Sequence, residues 1–154
     1  MDLPVPDRKG AVVPDPSLGV LLFLPYRHLE QRVLGAVQAA GHPITLAQAR
    51  VFQRIDHDGS RLTDLAAAAQ VTKQTAGFLV DQLVAGGYVE RVPDPTDARA
   101  RLIRITARGY EVVAVARPVQ TAVEEEWRAH VGAEEYDRLR RTLLRLREIT
   151  DPWA

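Results

Sequence analysis

Two groups of side chains in this chain are of the types that bind nucleic acid. The first is Lys73, Gln74 and Thr75, directly after Thr72. Thr72 has the place of an N-cap, and the three residues after it would form the first turn of a helix whose free N–H groups and dipole favour a phosphate. Lys, Gln and Thr side chains at such a terminus can bond base edges or backbone oxygens. The second group is Arg99, Arg101, Arg104 and Arg108, a run with no acid between its ends and with Asp97 just before it. Arginines on a projecting turn suit the narrow minor groove, where the potential is most negative. Asp97, two residues before Arg99, is placed to orient that guanidinium through a bidentate pair.

The elements needed to hold these groups are legible around them. The apolar stripe Ala76, Leu79, Val80 and Leu83 predicts a helix from Thr72 to Ala85, stopped at Gly86-Gly87. Lys73, Gln74, Thr75, Gly77, Phe78, Asp81 and Gln82 are then left facing outward. Glycine within a helix costs about 1 kcal/mol against alanine, so Gly77 reads as a place where another surface comes close. A short alanine-rich helix, Leu62 to Ala69, precedes it, capped by Thr63 or its neighbour and followed by a turn at Gln70-Val71. Tyr88 to Val92 and Arg101 to Ile105 alternate and are rich in β-branched residues, which predicts two strands joined by a turn over Pro93 to Asp97. A helix-turn-helix beside a basic hairpin is a shape for reading duplex DNA.

Elsewhere the pattern is helical. Pro4, Pro6, Pro14 and Pro16 make residues 1–16 an extended arm. Ser17 to Ala40 predicts a helix with Leu29, Val33, Ala36, Val37 and Ala40 on one face and a kink or a start at Pro25. Thr45 and Gln48 form a capping box for a helix running to about Asp58 that buries Val51, Phe52 and Ile55. Thr106 caps a helix from Ala107 to about Val131, interrupted by Pro118 and about 37 Å long. The last helix spans 133–150, and its Tyr136, Leu139, Leu143 and Leu146 recur at coiled-coil spacing. The fold class expected is mainly α with a small β-hairpin wing. Its parts are the arm (1–16), a dimerisation helix (17–44), a winged helix-turn-helix domain (45–109) and C-terminal dimerisation helices (110–154).

Composition narrows the functions. The chain has 154 residues, no cysteine and a formal net charge of zero. Disulfides, thiolate metal sites and thiol redox sensing are therefore excluded. The charge is unevenly distributed, with a basic hairpin at one end and Glu124, Glu125, Glu126, Glu134 and Glu135 together elsewhere, which suits a protein that meets DNA with one end. His28, His42, His57 and His130 have no metal-binding spacing, Ser17 and Ser60 lie in no nucleophile motif, and no apolar run is long enough to span a membrane. The expectation is no enzyme, no cofactor, no metal and no secretory leader, in a cytoplasmic protein associated with the nucleoid.

The hairpin DPTDARARLIRITARG resembles the wing signature of the MarR family of bacterial regulators, and VTKQTAGFLVDQLVAGGYVER is similar to its recognition helix and first wing strand. The resemblance implies a homodimeric repressor whose N- and C-terminal helices pair with those of a second subunit, with Leu139, Leu143 and Leu146 in the interface. Its DNA contacts would come from Thr72, Lys73, Gln74, Thr75, Gly77, Phe78, Gln82, Asp97, Arg99 and Arg101. The operator would be a pseudo-palindrome with half-sites about 34 Å apart. Two positions depart from the family pattern: Phe78 and Ala98 stand where relatives often carry Arg, with Arg101 a partial substitute for the latter. The resemblance also implies a small aromatic or phenolic effector, with Tyr26, Phe52 and Trp127 lining its pocket. The competing class is a winged-helix module that docks proteins and never touches DNA.

Overall fold

The computed structural model describes residues 15–151, so the expected arm lies outside it apart from Asp15 and Pro16. The element order is α1 (Leu18–Ala39), α2 (Leu46–Phe52), β1 (Ser60–Arg61), α3 (Leu62–Ala68), α4 (Lys73–Ala85), β2 (Val89–Asp94), β3 (Asp97–Ile105), α5 (Ala107–Val131) and α6 (Ala133–Thr150). This is the mainly helical winged architecture expected, with one antiparallel sheet in the order β1-β3-β2.

Local chemistry explains most boundaries. Ser17 caps α1 by accepting from the Val20 N–H at 3.4 Å. Thr45 and Gln48 complete their reciprocal box at 2.9 and 3.2 Å. Thr72 and Thr106 cap α4 and α5 in the same manner, each accepting at 3.1 Å. The chain leaves α1 through Gly41 and turns between α5 and α6 at Gly132, both in the left-handed region at φ 91°.

Several boundaries differ from those predicted. Pro25 and Pro118 lie inside α1 and α5 without ending either helix. Both are exposed, so water can take the carbonyl that each missing N–H leaves unpaired. Helix α2 stops at Phe52 instead of continuing to Asp58, and the Ser60 hydroxyl holds the loop that follows, accepting from the Asp56 N–H at 2.9 Å. That loop leads into β1, where Ser60 pairs with Ile103 and Arg61 with Leu102. Helix α3 has Arg61 at its N-cap position with no side-chain cap, so Thr63 does not cap it. The hairpin strands run further toward the tip than expected, with Pro93 opposite Arg101 and Asp94 opposite Asp97. Strand β2 is an edge strand, which is where a sheet tolerates proline.

The core lies within the winged region and under the adjoining parts of α1 and α5. Ile44, Val51, Leu65, Val80, Leu83, Val89 and Ile103 are each at most 2% exposed. Gly109 in the first turn of α5 sits hard against the hairpin. A Cβ there would run into the Tyr88 carbonyl oxygen and come within 2.6 Å of Ile105 Cγ2 and 3.3 Å of Phe52. Gly109→Ala should therefore destabilise the fold by about 1–3 kcal/mol, the usual range for overpacking, read from chemical denaturation. An unchanged midpoint would mean that α5 docks less tightly on β2 than described.

The two ends of the chain are different in kind. Helix α6 buries none of its residues. Leu139, Leu143 and Leu146 on it are 51%, 39% and 36% exposed, and the start of α1 exposes Leu18, Leu21, Leu22, Phe23 and Leu24. Scattered single apolar residues on a surface are ordinary, but two helices bearing this many are not.

Candidate nucleic-acid interface

Helix α4 is fixed from behind by Ala76, Leu79, Val80 and Leu83, which leaves its N-terminal turn and outer face free. Lys73, Gln74 and Thr75 are all exposed at that turn. The Thr72 hydroxyl accepts from the Thr75 N–H and donates to the Thr75 hydroxyl oxygen at 2.9 Å, which sets the Thr75 rotamer. Gln74, Phe78 and Asp81, spaced by four and three residues, form the outermost ridge. Phe78 is 62% exposed. Asp81 turns toward the wing and pairs with Arg91 at 2.6 Å.

One of the helix residues is placed differently from the sequence expectation. Gly77 does not face outward. It is half-buried, and a Cβ on it would point at Leu62 Cδ2 of α3, 3.7 Å away. A methyl there would make an ordinary contact with α3, so the packing of α3 on α4 does not itself require glycine. Gln82 faces outward as expected, and its Oε1 accepts from Gln48 Nε2 at 2.9 Å. Because Gln48 is itself held by the α2 capping box, the Gln82 amide is oriented with its donor group left over.

The wing is stiffened near its turn, where Arg61 of β1 meets the last residue of β2, by a pair that sequence reading missed. Arg61 on β1 reaches Asp94 Oδ2 with Nε at 2.8 Å and Nη2 at 2.6 Å. The other Asp94 oxygen accepts from the Thr96 backbone N–H at 2.8 Å and the Thr96 hydroxyl at 2.7 Å. Asp94 is 6% exposed, so both of its oxygens are satisfied in a nearly closed site. The Thr96 hydroxyl, then the Thr96 N–H, then Arg61 lower its pKa from 3.8 to about 2. The one signal in the sequence was the Asp94-Pro95-Thr96 turn, since Asp commonly bonds the backbone two residues on. The partner Arg61 lies too far along the chain to be read from spacing.

A carboxyl whose pKa falls on folding stabilises the fold fully above its unfolded value, and that contribution is lost as pH falls through the folded value. For Asp94 the window runs from 3.8 down to about 2. The expected result is that Asp94→Asn is less stable than the wild type near neutral pH and that the gap narrows through this window. Thermal melts in a pH series check it, and a gap that stays constant would remove Asp94 ionisation from the wing's stability.

At the tip, Asp97 accepts from the Arg99 backbone N–H at 3.0 Å. It therefore shapes the turn and does not clamp the Arg99 guanidinium as predicted, because a carboxylate two residues back reaches the main chain more readily than the end of a long side chain. Arg99 and Arg101 are both exposed; Arg101 falls on the face of β3 that carries the buried Ile103, and Arg99 lies in the irregular stretch between the Pro93–Arg101 and Asp94–Asp97 pairs. The exposed Arg99 and Arg101 thus lie at and beside the turn, and Arg104 adds a third exposed guanidinium from the face of β3 opposite Ile103. The helix terminus and the wing arginines together supply donors suited to phosphates and base edges.

A second feature is a cleft of about 200 Å³ between α1, α2 and α5. Its floor is apolar, with Leu29, Val33, Val37, Phe52 and Val112 among the lining residues, and Tyr26, Glu30, Arg50 and Gln53 edge it. Arg50 grips Glu30 through two bonds of 2.7 and 2.9 Å and holds its carboxyl below the usual range. Tyr26 donates to Glu30 at 3.3 Å. The cleft brings together Tyr26 and Phe52 as expected, but Trp127 does not line it. The α5 lining ends at Gln120, and Trp127 lies about two turns further along that helix. Among the described residues there is no group of three or more His, Asp or Glu able to hold a metal ion, and no helix is long and apolar enough to cross a membrane.

Comparisons with known proteins agree with this geometry. The profile of the MarR family matches residues 42–100. The chain is 33% identical over 95 residues to the transcriptional regulator HosA of Escherichia coli O111:H-, covering 61% of this chain and 70% of that protein. A crystal structure of MarR superposes with a TM-score of 0.67 at 26% identity, over 86% of this chain and 96% of that one. The MepR protein of S. aureus, solved as a complex with DNA, gives a TM-score of 0.64 over 86% of this chain and 97% of its own. At 20% identity that last likeness is one of fold.

Proposed function

The chain belongs to the MarR family of DNA-binding transcriptional regulators, and on that premise we propose that it acts as a homodimeric repressor on a pseudo-palindromic operator. The observation that carries the proposal is the arrangement of α4 and the wing. An exposed, capped helix terminus bearing Lys73, Gln74 and Thr75 stands beside a hairpin whose turn is braced by the Arg61–Asp94 pair and which exposes Arg99 and Arg101. In this reading α4 enters the major groove, the wing arginines take the adjacent minor groove, and residues 45–109 form the reading head. The exposed apolar residues of α1 and α6 favour a second subunit as their cover, which makes residues 17–44 and 110–154 the dimerisation region.

The cleft between α1, α2 and α5 is the place proposed for an effector, a small aromatic compound seated on Phe52 beneath Tyr26. It lies where the dimerisation helices meet the reading head, so filling it would alter the spacing of the two heads and release the operator. The protein would do this work in the cytoplasm, on the nucleoid.

A nuclease footprint on the DNA flanking its own gene tests the proposal. Two protected blocks about one helical turn apart are expected; uniform cleavage at concentrations that saturate a random duplex would overturn it. A finer expectation concerns the helix residues. Gln74→Ala or Thr75→Ala should change the preference among bases by about 1–3 kcal/mol for each base-edge bond removed, with little change on random duplex. Binding selections on randomised duplexes check this, and a uniform weakening on all sequences would reassign the two side chains to phosphate.

A further inference from the structure

The proposed function gives no role to Phe78, the most conspicuous side chain on α4. It is 62% exposed, and it stands in the middle of the outer ridge one turn after Gln74. Its ridge neighbour Asp81 is drawn aside by Arg91 at 2.6 Å, and Gln82 is drawn toward α2 by Gln48 at 2.9 Å. What stands proud at the centre of the reading face is therefore a hydrocarbon ring with an amide beside it. A phenyl ring has no donor for a phosphate. Pressed against one, it would strip water from the oxygens and return nothing. On the major-groove edges of base pairs the complementary apolar group is the C5-methyl of thymine.

We propose that Phe78 packs on a thymine methyl and so makes a T·A pair at one fixed position of each half-site a determinant of specificity. The proposal rests on α4 being the reading helix and adds the kind of base it reads. One turn of helix advances 5.4 Å, and successive base pairs are about 3.4 Å apart, so the thymine lies about one to two base pairs from the pair that Gln74 contacts. Gln suits adenine through its N6 and N7. The half-site is thus expected to pair an adenine read by Gln74 with a nearby thymine covered by Phe78. Because Phe78 is outside the core, its replacement leaves the fold intact.

The test begins with binding selection from a randomised duplex library using the whole protein. Each thymine of a selected half-site is then replaced singly by deoxyuridine, which keeps every polar group and removes only the methyl. At one position the wild type should lose about fourfold in affinity, the amount expected for one buried methyl. Phe78→Ala should bind both versions of that position equally, and Phe78→Leu, which keeps an apolar side chain there, should still discriminate. A wild type indifferent to deoxyuridine at every thymine would overturn the proposal, as would Phe78→Ala retaining the same discrimination. Failure of the wild type to enrich any sequence is a different result, because it would defeat the reading of DNA by α4 itself.

Discussion

Replacing Leu139 and Leu143 together by Asp should turn the protein into a monomer and lower its affinity for the operator by at least about a hundredfold. The size follows from two effects. Two carboxylates placed in an apolar seam must either lose water or keep the helices apart, at a cost of several kcal/mol. Once the helices part, the second reading head is no longer tethered near its half-site, and tethering commonly contributes about 10²–10⁴ in affinity. Both leucines are exposed on a helix that buries nothing within its own chain, so the substitutions leave the core untouched. Sedimentation and a footprint on the same sample decide the matter. A monomer that still protects two half-sites would contradict the proposed role of α6.

The second large effect is expected at the wing tip. Arg99→Ala should weaken binding on all duplexes by roughly ten- to a hundredfold, because hydrogen bonds to charged groups contribute about 1.5–3 kcal/mol. It should also reduce the slope of log K against log salt by about one, as one fewer cationic group displaces counterions from the duplex. The effect is expected to be uniform across sequences, unlike that of Gln74 or Thr75. The reason is geometric. Asp97 holds the backbone of Arg99 in the turn and leaves its guanidinium unclamped, while the Arg61–Asp94 pair keeps the hairpin from yielding. Unchanged affinity and slope in Arg99→Ala would remove the wing tip from the mechanism.

What could be read from sequence was whatever is written within a few residues. The caps at Thr45, Thr72 and Thr106 each set a helix start through a bond to a residue three further on. The stripe of α4 and the stop after Ala85 are equally local. The two-residue strand β1 is too short to show alternation, and it exists only because β3 comes alongside. The same distance along the chain hides the Arg61–Asp94 clamp. An outward position for Gly77 follows from subtracting the buried stripe, which ignores a neighbour packed on the flank, here Leu62. Trp127 falls outside the cleft because an aromatic residue carries no mark of its position along a helix relative to a cavity. Pro25 and Pro118 interrupt less than their type suggests, since a proline on an exposed face leaves its unpaired carbonyl to water.

In the proposed mechanism this chain reads a particular duplex through α4 and grips it through the wing. Equilibrium binding of the wild type to DNA from beside its own gene, and to a shuffled duplex of equal length, across a salt series, tests it most directly. A steep fall in affinity with salt is expected on both duplexes, from counterion release, with a preference for its own site of about a thousandfold or more at physiological salt. Equal affinity for the two duplexes at that salt would contradict it.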